Sequence, residues 1–476
     1  GEDLTMAINF GRFQQKAQIY SEWANTTHVS RRELLGTWNG VSPPRSSVEN
    51  PLQIIAYTSP EYDEDAKDEF TLRSGFDLRY RFSQELTGLL AVNPDFKNIE
   101  QDVADIGFSR AERYVGDARP FFQEGGELFE LTNRYAYGRM FFSRRIGEFD
   151  QGAKVYGNLA NDKQIGVIFA RTAGEGEAAV FNYLQDFTPR TRFNVYGTSL
   201  TGLEDDSHAM GANFFIGDGN WDAEFNFSQA SDEGKTDNAG SAGVTYFVPT
   251  VFSVTRYDFV GPDFEPALAY VPFNGYRGIS NYTEYIQENR EGYLREIQGI
   301  AYTEYHETYS GDNFSKFFEL ELGVETRDDM GFSVSREAGV YLDEPEEFWS
   351  AKVGFNVSNR FERFSVGYES GKVNGEPLEF IRINGSYRLT PGFDIGLDYS
   401  ALNLQGNTTR TIVTLGWEID EKQSLSARFI QRDDDSNFSL AYSSSGFSGA
   451  EWFVVIGDPN SREWRNRVAL KLVWPF

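Results

Sequence analysis

The sequence has no cysteine, only three histidines, and far fewer bases than acids, 44 against 72. Without cysteine there is no disulfide framework. The histidines, His28, His208 and His306, form no spaced metal pair, and no HExxH, P-loop or nucleophile-elbow motif occurs. No enzyme is therefore expected. The net charge of −28 repels phosphate and argues against nucleic acid as a partner. No stretch approaches the ~18–20 apolar residues of a spanning helix. Membrane residence then requires a closed barrel, the other architecture that satisfies its own backbone in lipid. No export leader is visible at Gly1, so an exported chain would have had it removed.

Aromatics, by contrast, reach 16%, although hydrophobic content is only 40% across 476 residues. A large soluble core would need more apolar residues; a lipid-facing band with aromatic girdles around a polar lumen would not. Periodicity agrees. In "VALKLVWPF", Val468, Leu470, Leu472, Trp474 and Phe476 share one face, and Lys471 lies on the other. This pattern resembles the C-terminal recognition signal of bacterial outer-membrane proteins. It predicts a lipid-facing final strand that also serves as an assembly signal. In "FTLRSGFDLRYRF", Phe70, Leu72, Phe76, Leu78, Tyr80 and Phe82 oppose Arg73, Asp77, Arg79 and Arg81. Phe318–Val324, Ile381–Leu389 and Phe393–Tyr399 alternate in the same way. Many such ~10-residue segments predict an all-β, antiparallel, transmembrane outer-membrane barrel of roughly 24 strands, within a range of about 22–26. Tight turns such as "TPG" at Thr390–Gly392 alternate with segments such as "KVNGEP" at Lys372–Pro377, read as longer outer loops.

One stretch, 93–147, breaks the alternation. Within a single barrel domain spanning 1–476 it is expected to be an insert that plugs or narrows the lumen, because a barrel this wide cannot be filled by strand side chains alone. Arg119, Glu124, Arg144 and Arg145 are its candidate lumen residues, expected to pair there. Arg73, Arg79 and Arg81 are candidates on the wall, and Arg144 and Arg145 are expected to meet insert acids such as Glu124. The acidic runs Tyr62–Glu69, Leu203–Ser207 and Asp433–Asp435 offer carboxylates to loop Ca²⁺, but none has EF-hand spacing, and solvated loops are the preferred reading. No cofactor is expected. Expected partners are outer-membrane lipid and lipopolysaccharide, and the barrel assembly machinery.

"NPDF" at Asn93–Phe96, "ARPFFQEG" at Ala118–Gly125, "FFSRRIG" at Phe141–Gly147 and "GAKVYGNL" at Gly152–Leu159 occur in that order. They resemble the barrel portion of the DUF5916 outer-membrane proteins, as does "GPDFEPALAYVPFNGYRG" at Gly261–Gly278. The resemblance implies a barrel that usually follows a carbohydrate-binding-like domain of the family 9 type, for which the residues before Glu69 leave no room. It implies no established activity. Two function classes follow: a plugged channel or transporter for an unidentified solute, and a membrane-anchored scaffold that passes little. An outer-membrane enzyme is a distant third.

Overall fold

The computed structural model describes residues 4–14, 19–24, 35–41, 51–94, 96, 103, 105–132, 137–174, 176–202, 206–359, 361–445 and 450–476. His28, and parts of the acidic run after Leu203 and of the 93–147 stretch, lie outside the described residues. Among those described, 24 antiparallel strands hydrogen-bond in a closed ring, each to its neighbours in sequence. With strands ~4.8 Å apart and tilted ~40°, such a ring is about 45–50 Å across at the backbone. Two small hairpin pairs precede it: Leu4–Ile8 with Gly36–Val41, and Gly11–Gln14 with Ile19–Glu22.

The ring closes where the final strand, Arg467–Pro475, pairs with Leu52–Asp63. Phe476 lies just past that strand, yet its amide donates to the Ile54 carbonyl at 2.7 Å and its carbonyl accepts from the Ile54 amide at 3.3 Å. On the inner face of this seam Arg467 pairs with Glu61 at 2.8 Å, with 0% and 2% of the two side chains exposed. On the outer face Val468 and Trp474 are exposed, while Ala469 is fully buried and Lys471 lies over the Tyr57 ring. The strand Phe70–Arg81 repeats the pattern: Phe70, Leu72, Phe76 and Tyr80 are exposed outward, where lipid replaces water as the solvent. Among the described residues no helix is long and apolar enough to cross a membrane.

The connections differ from expectation. "KVNGEP" is not a long loop. The strands Arg363–Val373 and Glu376–Thr390 continue through it and leave a two-residue turn, Asn374–Gly375, with φ of 50° and 78°. Asn-Gly suits this mirror-image turn because both residues tolerate positive φ. Long connections are few: 93–150, 261–275 and 457–466. Neighbouring strands run in opposite directions, so all three open at one end of the barrel, the end away from Phe476. The break in alternation runs three residues beyond the expected 147, because the next strand starts at Gln151.

Candidate functional site

The connection 93–150 has two parts. The first, 117–150, is folded onto the wall beside it. Pro120 occupies the first turn of a one-turn helix, Pro120–Gln123, where its missing amide hydrogen is not needed. Gly125 follows at φ 62°, and a Cβ there would lie 2.2 Å from the Tyr156 ring, so only glycine fits. Phe121, Phe122, Leu128, Phe129, Leu131 and Met140 form one buried cluster with wall residues such as Ile168 and Val180. Each such side chain contributes about 1.5–3 kcal/mol when fully buried. The second long connection closes over the same cluster through Phe264 and Leu268, and Arg139 and Tyr270 exchange backbone hydrogen bonds of 2.8 Å.

Because this part has almost no regular structure, its carbonyls need other donors. The inner wall supplies them. Lys154, 1% exposed, donates its Nζ to the carbonyls of Phe121 at 2.9 Å and Phe122 at 3.4 Å, and also to that of Glu124. Asn182 donates to the Leu128 carbonyl at 2.7 Å and Asn213 to that of Leu131 at 2.6 Å. Tyr137 reaches Ser228 at 2.6 Å.

Arg119 is the internal clasp. Its Nε lies 2.9 Å from Asp117 Oδ1, its Nη2 2.6 Å from Asp117 Oδ2, and it donates to the carbonyls of Ser143, Ile146 and Gly147 at 2.7–2.8 Å. The guanidinium also sits 4.4 Å over the Phe122 ring. Burial opposes the charge of Asp117, but the Arg119 hydrogen bond prevails and holds its carboxyl below the ordinary value.

The second part, 105–116, is a strap reaching the far wall. Asp105 accepts from Arg382 Nη1 at 2.7 Å and lies 3.7 Å from Arg410. Arg110 donates its Nε to Glu346 at 2.8 Å, pairs with Glu337 at 3.3 Å, and lies 4.5 Å over the Phe317 ring. Phe108 stacks on Phe348 with centroids 6.0 Å apart. Burial at Asp105 works against its charge; Arg382 outweighs it, with help from the amides of Gly107 and Ile106, and the carboxyl is lowered. The strands carrying Asn213 and Arg410 are 12 apart in a ring of 24, so the two parts of the connection grip diametrically opposite walls and the chain between them crosses the lumen.

The wall is divided by sign. Glu337 stands opposite Glu319 in register, and Glu346 and Glu369 face inward on the strands that follow. Past them, Arg382, Arg388 and Arg410 face inward with Asp394 and Asp398 among them. The strap's base meets the acidic arc and its acid meets the basic one.

Of the residues singled out from sequence, Glu124 pairs with Arg79 and accepts from Tyr156, and Arg79 also donates to Gln53 at 2.9 Å. Arg145 pairs with Glu112 and donates to the Ala269 carbonyl at 3.2 Å. Arg144 donates to the Gly116 carbonyl at 3.3 Å. Arg145 thus meets an insert acid, as expected, but neither arginine meets Glu124, because Arg79 on the wall already holds that carboxylate. Arg73 lies 3.7 Å from the exposed Glu148. Arg81 sits exposed at the rim. Asp105, Arg110, Lys154 and the wall carboxylates Glu337 and Glu346 were missed by sequence reasoning; among them only Lys154 carried a signal, its place inside "GAKVYGNL". The acidic run at Asp433–Asp435 is a tight strand turn, and among the described residues no three His, Asp or Glu are placed to hold a metal ion.

Cavities remain on both sides of the insert. One of about 840 Å³ lies beside Arg73, Arg145 and Glu148, and one of about 530 Å³ beside Lys352, Arg363 and Arg382.

A closed ring with an apolar outer band and a charged lumen defines an integral β-barrel of the bacterial outer membrane. Residues 50–170 match the family model described as Domain of unknown function (DUF5916), the family whose motifs the sequence resembles. That match takes in the first barrel strands and the whole insert, while the Gly261–Gly278 segment lies beyond it. No curated protein matches the chain. Among solved structures, the chain is similar to the siderophore receptor PirA of Pseudomonas aeruginosa at 11% identity, with 90% of this chain and 81% of that one covered and a TM-score of 0.45. The ferric-catecholate import receptor Fiu of E. coli K12 follows at 10% identity, 93% and 83% coverage and a TM-score of 0.41. OccAB3 of Acinetobacter baumannii stands at 10%, 89% and 98%, and 0.31.

Proposed function

We propose that this protein is a gated channel of the outer membrane, in which the 93–150 insert closes the lumen and release of its strap opens it. The observation that carries this reading is the asymmetry of the insert. One end rests on a large buried apolar cluster and many hydrogen bonds, whereas the strap holds the far wall by the ion pairs of Asp105 and Arg110 and a small apolar patch in which Phe108 packs on Phe348. The Asp105–Arg382 pair is reached by water, and such pairs exchange partners readily; large buried aromatic clusters do not. Space for small polar solutes beside the anchored half and along the far wall supports the same reading. The outward band faces lipid and lipopolysaccharide, the final strand with Phe476 is offered to the barrel assembly machinery, and no catalytic chemistry is assigned.

The test is conductance in planar bilayers. Replacing 105–116 by a short Gly-Ser linker should raise single-channel conductance several-fold while the anchored half stays in place. An unchanged, near-silent barrel would favour the alternative, a scaffold whose firmly held insert presents a surface to partners.

A further inference from the structure

Resting on the channel reading, we infer that the lumen beneath the strap binds a short zwitterionic solute, its ammonium end on Glu296 and Glu321 and its carboxylate end on Lys352, Arg363 and Arg382. Two adjoining cavities carry the inference. The one of about 240 Å³ is lined by Glu296, Glu321 and Glu325 with Gln298 and Ser333. The one of about 530 Å³ is lined by Lys352, Arg363 and Arg382 with Ser365 and Asn384. Lys352, Gly354 and Val357 belong to both, so the two are one trough with an acidic end and a basic end.

The trough exists because the inward positions between its charged ends are small. Gly331 faces Gly354 across the strand pair and Ser333 faces Lys352; Lys352 in turn faces Gly367. Gly323 lines the acidic end, and a Cβ added there would meet only ordinary contacts of 3.6–3.7 Å with Gln298 and Ser333. Four of the charges at its ends are uncommitted. Among the described residues Glu296, Glu321, Lys352 and Arg363 take no ion pair, whereas Glu325 is held by Arg295 and Arg382 by Asp105 and Asp398.

The strap supplies an independent observation, because it already behaves as a ligand of this lumen. Its Asp105 and Arg110, five residues apart, seat a carboxylate on the basic arc and a guanidinium on the acidic arc. A solute with the same polarity satisfies the same arcs one layer lower. Its carboxylate competes with Asp105 for Arg382, which links solute entry to release of the strap. The size follows from the wall. From the strand bearing Glu321 to those bearing Lys352, Arg363 and Arg382 is two to four strand spacings, about 10–19 Å. An extended peptide spans that distance with about three to five residues.

The experiment is calorimetric titration of the full chain in detergent with tetraglycine, and with the same peptide acetylated and amidated at its ends. Tetraglycine should bind saturably, with Kd on the order of 1 mM, and the capped peptide should not. Glu321→Gln and Lys352→Gln should each weaken binding roughly three- to fivefold, as expected for solvent-accessible pairs. Gly323→Gln should fill the acidic end of the trough and abolish binding, with heat-modifiable gel mobility unchanged. Equal binding of the two peptides, no binding of either, or indifference to Gly323→Gln overturns the inference. A strapless barrel that conducts well but does not bind tetraglycine overturns it alone and leaves the gated channel. Binding to a barrel whose conductance ignores the strap overturns the gate and leaves the site.

Discussion

Arg110→Gln should unseat the strap. The side chain of its partner Glu346 is 1% exposed, and that of Arg110 is 22% exposed. Removing one member of a buried pair costs about 3–5 kcal/mol because the other charge is stranded. Here the low end applies, since a loosened strap admits water to Glu346. Loss of the guanidinium from above Phe317, 4.5 Å away, adds about 1 kcal/mol. A total near 4 kcal/mol lowers the ratio of seated to free strap by about 10³. Planar-bilayer recording reads this as a rise in the time spent in the larger conductance state. Arg110→Lys should give an intermediate effect, since an ammonium keeps the charge but not the two-pronged contact with Glu346 and Glu337. Lys235→Ala, which removes a pair with Asp263 in which both side chains are about half exposed or more, is the control and should change nothing. If Arg110→Gln conducts like the native protein, the strap is not held as the geometry implies.

Deleting Phe476 removes two backbone hydrogen bonds at the seam and an exposed ring, so less heat-modifiable barrel should reach the outer membrane; unchanged assembly would refute its role as a signal. Arg467→Met should lower the heat resistance of the folded band sharply, by about 3–5 kcal/mol of stability, and Arg467→Met with Glu61→Leu should recover most of it. Asp105 and Asp117 are both held below the ordinary carboxylate value, so their contribution to seating the insert is complete above about pH 4 and is lost as pH falls through their lowered values. Conductance should therefore stay low from pH 7 to about 4 and rise only below; an increase near pH 6 would contradict this assignment.

The barrel was legible because its signal is local. Phe70 to Phe82 alternates in the chain as it alternates in space, and twenty-odd such segments leave little freedom of architecture. Turn character was less legible. "KVNGEP" reads as a loop by composition, but Asn374 and Gly375 alone make the turn, and Glu376 and Pro377 are strand residues. The site was hardly legible at all. Glu124 was identified, but its partner Arg79 lies on a barrel strand, whereas a partner within the insert was expected. Asp105 and Arg110 appeared as two charges among many, because what distinguishes them is the sign of a wall assembled from strands far along the chain. The Gly261–Gly278 segment was noticed only as part of a family resemblance; that Phe264 and Leu268 cover the insert depends on a fold-back no periodicity encodes.

The insert's two grips also differ in when they can form. Lys154 reaches Phe121 across 33 residues, and Arg119 reaches Ile146 across 27. Arg110 must wait for Glu346, 236 residues later, and Asp105 for Arg382, 277 later. Short loops close first and distant ones last. The anchored half can therefore take its place while the barrel is still an open sheet, whereas the strap's grip on the far wall must wait for the sixteenth and eighteenth barrel strands. Closure of the lumen becomes a late event in the life of the chain, and a barrel that stalls in assembly is left unbarred.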